Sequence, residues 1–171
     1  MMEVAVSAAI GYTLGQFSPA AVMIIDVLKA YFAIQIAKNL FPLFKFAGLV
    51  AGCFAVIGHV FPAYLEFRGG KGVATFAGLI LAYDVRTLII ILIIAIAIMA
   101  VTDFGTWGPV SAAVLFPAWL LFKLQNLVVF GGVAAVGGLV IYKHKENFIR
   151  AKEGEEILVS DFAGTYHDFH H

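Results

Sequence analysis

The chain of 171 residues carries 11 Lys and Arg against 11 Asp and Glu, for a formal net charge of zero; 62% of it is hydrophobic and only 13% charged. A soluble domain carries about 25% charged residues, so half the usual polar coat is missing; with a mean hydropathy of +0.96, only an all-α polytopic bundle of transmembrane helices fits. Zero net charge offers nothing to a polyanion and sets nucleic acid aside.

Seven hydrophobic elements follow one another, at about 4–16, 19–37, 43–62, 72–83, 87–102, 108–122 and 127–142. The start, Met1-Met2-Glu3, lacks a basic n-region and a small-residue cleavage site, so the first element is expected to be retained. Ser18-Pro19 starts the second as N-cap and N1, and within it Asp26 and Lys29 stand at i, i+3, the spacing of an ion pair. A full crossing needs about 20 apolar residues, which the second, third and fifth elements reach with their flanks. The first and fourth are short and must tilt, thin the bilayer or enter part way. Cys53, the single cysteine, lies in the third and reads as a buried, inert thiol. Pro42, Pro62 and Pro109 mark element edges, and Pro117 inside the sixth predicts a kink. Gly131-Gly132 and Gly137-Gly138 in the seventh offer close-packing faces.

Lys143, Lys145, Arg150 and Lys152 make the end of the last element cytoplasmic. Counting seven crossings back puts the N-terminus outside and brings three polar segments to one membrane face: the 63–71 loop, the 103–107 connection and the basic tail. Residues 1–156 are expected to form one integral membrane domain and 157–171 a flexible tail. The tail histidines His167, His170 and His171 are read as a terminal cluster and not as a metal site.

The loop carries the chemistry. Ionisable residues at membrane depth default to a functional reading, and glycines around a Lys let backbone N–H groups approach an anion. Gly69-Gly70-Lys71-Gly72 is therefore a candidate for phosphate or another oxyanion. It is no Walker A motif, because Leu65 replaces the required Gly and Gly72 stands where Ser or Thr should follow the Lys. Lys71 lies against the positive end of the next helix, a poor place for a cation unless an anion neutralises both. Arg68 is a further candidate, or a solvated rim charge. His59 reads either as a hydrogen-bonded core histidine or as a phosphate or proton handler. His144 and Asn147, at i, i+3 after the last element, can grip a hydroxyl or a phosphate, although an interfacial basic helix has the same pattern. Asp103, Thr106 and Ser111 flank the inner connection, where Thr106 offers a hydroxyl. No plausibly placed Ser-His-Asp or Cys-His set appears, so an enzyme here works without a covalent protein intermediate.

The run from Gly58-His59-Val60-Phe61-Pro62 through Phe67-Arg68-Gly69-Gly70-Lys71-Gly72-Val73-Ala74-Thr75 closely resembles the central signature of the bacterial acyl-phosphate:glycerol-3-phosphate acyltransferases, the PlsY family. Ile25-Asp26-Val27-Leu28-Lys29-Ala30 and the stretch from Ile141 through His144-Lys145-Glu146-Asn147 to Arg150 resemble two further family motifs, in order and spacing. The resemblance runs from about residue 19 to 156. It implies transfer of a fatty acyl group from acyl phosphate to the 1-hydroxyl of glycerol 3-phosphate, giving lysophosphatidic acid at the inner face of the cell membrane. The amides of Gly69 to Gly72, with Lys71, would form the oxyanion hole; His144 and Asn147 would orient the acceptor; no metal, nucleotide or other cofactor is required.

Two departures stand out. The family's first motif, with a serine and an arginine that help hold glycerol 3-phosphate, has no counterpart where Tyr12-Thr13-Leu14-Gly15-Gln16 runs into Phe17-Ser18-Pro19. The family's Thr-Arg-Tyr-x-Ser reads Thr102-Asp103-Phe104-Gly105-Thr106 here, so an Arg has become Asp103, which repels phosphate. The alternative is a non-catalytic membrane paralogue that binds a lipid phosphate or a protein partner. A small-anion transporter is weaker still, because no inverted repeat is visible.

Overall fold

The computed structural model describes residues 19–156 and 158–161. The expected element at 4–16, the Ser18 cap and the tail histidines lie outside them. The described chain is all α: α1 Pro19–Leu40, α2 Ala47–Val60, a 3-10 turn Ala63–Leu65, α3 Val73–Tyr83, α4 Val85–Thr102, α5 Trp107–Leu124, α6 Leu127–Lys143 and α7 Lys145–Glu153. Among the described residues the extended pairing is limited to an isolated bridge between Phe104 and Leu158. Two compact units divide at Tyr83 and Asp84.

In the first unit α1 packs on α2 and α3, and α2 packs on α3. Ala30, Ile34, Val56, Val60, Phe76, Leu79 and Ile80 form its core. Small residues set the spacing. A Cβ at Gly78 would collide with the backbone oxygen of Val27 and press on Ala30, and one at Gly52 would collide with Leu79 and Ile34. This is the close approach that membrane helices use, where lipid supplies no hydrophobic drive between them. Lys38 Nζ donates to the Ala82 oxygen at 2.9 Å, satisfying a carbonyl that the end of α3 leaves open.

In the second unit α5 packs on α4 and α6, around Ile91, Phe116, Leu120, Val133 and Val140. Asp84 starts α4, accepting from Arg86 N at 3.1 Å and from Thr87 Oγ1 at 2.6 Å. Asn126 caps α6 by accepting from Val128 N and Val129 N, each at 3.0 Å. Of the glycines expected to form packing faces, Gly137 does, directly against the Ala113 oxygen, whereas Gly131, Gly132 and Gly138 meet open space. α5 runs through the buried Pro117 without interruption.

Among the described residues three helices are long and apolar enough to cross a membrane, Ala20–Leu40, Val85–Thr102 and Trp107–Leu124, and a fourth if the bent pair Leu127–Lys143 and Lys145–Glu153 is one span. The outward side chains of α4, among them Ile89, Ile90, Ile93 and Ile96, are exposed, as lipid contact requires. The expected full crossing over 43–62 is corrected: α2 has only 14 residues. The turns from Phe41 to Phe46 take up its front, and Phe61-Pro62 ends it. The sixth element, not counted as a full crossing from its sequence, is long enough. Cys53 is half-buried rather than buried.

Candidate functional site

Among the described residues each unit holds a polar constellation. In the first, the chain leaving α2 turns through Ala63–Leu65 and then through Glu66 and Phe67, both left-handed, with φ of 52° and 61°. It folds back so that Gly69 N donates to the Val60 oxygen at 3.2 Å. A Cβ at Gly69 would strike the His59 oxygen and Pro62, and one at Gly70 would strike the His59 ring at Nε2. Gly72 has φ 83°, a conformation glycine takes without steric cost, and its oxygen accepts from Phe76 N in the first turn of α3 at 2.8 Å. The expectation that Gly69 supplies an amide to an oxyanion is therefore corrected: its N–H is spent on Val60, and its role is steric. The N–H groups of Gly70 and Gly72 donate to no group among the described residues. They lie with Lys71 just before the start of α3, where a helix favours an anion. Lys71 and Arg68 are both exposed.

His59 is the pivot of this loop. The expected Asp26–Lys29 pair forms at 2.6 Å, and Lys29 Nζ also reaches His59 Nδ1 at 2.6 Å. The opposite edge of the ring faces Gly70. A residue that sequence reasoning missed is Thr75, wholly buried, whose hydroxyl has no hydrogen-bond partner among the described residues. Its signal was a hydroxyl in the first turn after the Gly-Lys loop. A buried polar group left unpaired costs about 1–3 kcal/mol. Thr75→Val, which keeps the shape, is expected to leave the thermal midpoint of the purified protein unchanged or raise it; a lowered midpoint would show the hydroxyl to be bonded.

In the second unit, two polar segments meet that the parity of crossings had brought to one face: the connection after α4 and the chain after α7. Thr106, Asn147 and Arg150 converge on the Glu156 carboxylate. Thr106 Oγ1 donates to Oε1 at 3.2 Å, Asn147 Nδ2 to Oε1 at 2.7 Å and Arg150 Nε to Oε2 at 3.1 Å. The bond from Asn147, first among these, holds the Glu156 carboxyl below the ordinary glutamate range. Thr106 and Asn147 are buried, as is His144 between α6 and α7. His144 Nδ1 lies 2.8 Å from the Val140 oxygen. A carbonyl only accepts, so Nδ1 carries the proton and the basic nitrogen of neutral His144 is Nε2.

Asp103 is also engaged. It accepts from Ser160 N at 2.8 Å and from Ser160 Oγ at 2.6 Å, and these bonds, the hydroxyl's foremost, lower its pKa. Its charge serves to fasten the start of the tail, with Val159 N donating to the Asp103 oxygen at 2.9 Å. Ser111 Oγ donates to the Gly108 oxygen at 2.7 Å within α5. Glu156 and Arg150 were missed as site residues because their contacts depend on the chain reversal at Gly154, φ 75°. No group of three or more His, Cys, Asp or Glu able to hold a metal occurs among the described residues.

Outward-facing apolar helices, an anion-favouring Gly-Lys loop and a buried His–Asn pair define a helical membrane protein with groups suited to phosphate and hydroxyl substrates. The family model for glycerol-3-phosphate acyltransferase matches residues 5–154. The chain belongs to that family. It is 32% identical over 82% of its length to the glycerol-3-phosphate acyltransferase of Wolbachia pipientis wMel, covering 72% of that protein. It is 35% identical over 85% of its length to that of Prochlorococcus marinus (strain MIT 9312), covering 75% of it. Of the Staphylococcus haemolyticus (strain JCSC1435) protein, 36% identical, it spans only 54%. Among solved structures it resembles PlsY (YgiH), an integral membrane glycerol 3-phosphate acyltransferase, in its lysophosphatidic acid and glycerol 3-phosphate forms. Each has TM-score 0.73 and 26% identity over 91% of this chain, covering 78% and 76% of the two solved chains.

Proposed function

We propose that this chain transfers a fatty acyl group from acyl phosphate to the 1-hydroxyl of glycerol 3-phosphate at the inner face of a cell membrane, with its N-terminus outside and its C-terminus cytoplasmic. The hydroxyl oxygen attacks the acyl carbon and an ester bond forms. The bond from that carbon to the phosphate oxygen breaks, and lysophosphatidic acid and phosphate result. The donor is already activated, so the protein need only align the hydroxyl and stabilise the oxyanion. Lys71 and the amides of Gly70 and Gly72 receive the phosphate or the developing oxyanion, with Arg68 and His59 beside them. His144 Nε2 accepts the proton of the attacking hydroxyl and Asn147 orients that hydroxyl, while Thr106, whose proton goes to Glu156, offers substrate its hydroxyl oxygen as an acceptor.

The observation that carries this reading is the Gly70-Lys71-Gly72 run set before α3, with two amides that no described group uses. Relatives and solved neighbours alike bear the acyltransferase name, which favours catalysis over a non-catalytic paralogue. The test is an assay of the purified chain with acyl phosphate and glycerol 3-phosphate. Stoichiometric lysophosphatidic acid and phosphate are expected. Product formed only from a thioester donor would overturn the donor assignment, and no product from any acyl donor would overturn the reaction.

A further inference from the structure

The Asp26–Lys29 pair does more than neutralise a charge within the bundle. Lys29 Nζ stands 2.6 Å from Asp26 Oδ1 and 2.6 Å from His59 Nδ1, while Asp26 Oδ1 is 3.4 Å from the same Nδ1. An ammonium has three donors and no acceptor. Beside it Nδ1 must be the accepting nitrogen, and Asp26 holds the ammonium in that place. The proton of neutral His59 then sits on Nε2, the atom against Gly70. His59 Nε2 makes no hydrogen bond to any described residue, so its N–H is offered to the loop. Asp26 and His59 are largely sheltered, with side chains 17% and 16% exposed, while Lys29 reaches them from the surface, 39% exposed.

We infer that Asp26 and Lys29 are positioning residues for the reaction, acting through His59: they fix its tautomer so that an Nε2–H donor stands beside Gly70, next to Lys71 and the two loop amides. The ligand served is the phosphate of a phosphate-bearing substrate. This inference rests on the proposed loop function, and each has its own readout. A donor fixed before the ligand arrives avoids ordering costs on binding. Without Lys29, the near carboxylate of Asp26 can take a proton on Nδ1, and neutral His59 then turns a bare lone pair toward the phosphate.

The first experiment is ¹⁵N NMR of histidine-labelled full-length protein at a pH where the ring is neutral, with the His59 signals assigned by their loss in His59→Gln. The Nε2–H tautomer is expected for His59, and loss of that preference in Lys29→Met. A wild-type His59 protonated on Nδ1 overturns the inference, whatever the assay of activity shows. The second is kinetic, with acyl phosphate and glycerol 3-phosphate varied separately. Lys29→Met and His59→Asn should raise KM for one phosphate substrate roughly tenfold, the loss of one hydrogen bond to a charged group, with kcat within a few-fold. His59→Gln, which places an amide N–H near the Nε2 position, and Lys29→Arg should recover most of that loss. Equal damage from Gln and Asn, or unchanged KM for both substrates in Lys29→Met, would show that the pair is structural only.

Discussion

Lys71→Ala is expected to lower kcat/KM for acyl phosphate by about one to two orders of magnitude, the cost of one charge-assisted hydrogen bond to a phosphate. The fold should survive, because the side chain is exposed and α3 is anchored by Phe76, Leu79 and Ile80 in the core. Circular dichroism and the elution profile of the variant should match the wild type while acyl transfer falls. A correctly folded Lys71→Ala protein with wild-type turnover would reassign the loop to structure. Lys71→Arg separates charge from shape: a broader, forked cation in a loop this tightly folded on His59 should restore only part of the activity.

Removing the acceptor in the second unit should have the largest effect on stability. Glu156→Ala takes the partner from the hydroxyl of buried Thr106, from the amide of buried Asn147 and from Arg150. Depriving buried donors of their acceptor costs on the order of 1–3 kcal/mol, so the thermal midpoint should drop by several degrees and activity should fall with it as Asn147 loses its orientation. Glu156→Gln should be milder, since its amide oxygen can still accept from Asn147. The pH dependence has a definite sign. The folded carboxyl titrates below the ordinary glutamate range, so its stabilisation is fully present above about pH 4.5, the unfolded value. It is lost as pH falls through the lower folded value, and the gap between wild type and Glu156→Gln should narrow there. A gap independent of pH would mean that the charge on Glu156 contributes nothing.

Composition alone required a membrane protein, and local pattern placed the helices, because a run of apolar residues ended by proline or by a capping Asp or Asn is a property of neighbouring residues. The i, i+3 spacing of Asp26 and Lys29 was readable for the same reason, as was the anion-favouring character of Gly70-Lys71-Gly72 before a helix. Where the sequence misled, a turn intervened: α2 is only 14 residues long because the chain spends the residues beyond Pro42 on turns before the helix begins. Tertiary structure alone decided the rest. Gly69 lost its amide to Val60 because the loop folds back on the end of α2, and the same reversal set His59 against Gly70. Glu156 became the common acceptor of Thr106, Asn147 and Arg150, and Asp103 found Ser160 instead of phosphate. Each of these contacts joins residues that no local period relates. Thr106 and Glu156 are separated by 50 positions and Asp103 and Ser160 by 57, and what brings them together is the path of the chain through α5, α6 and α7.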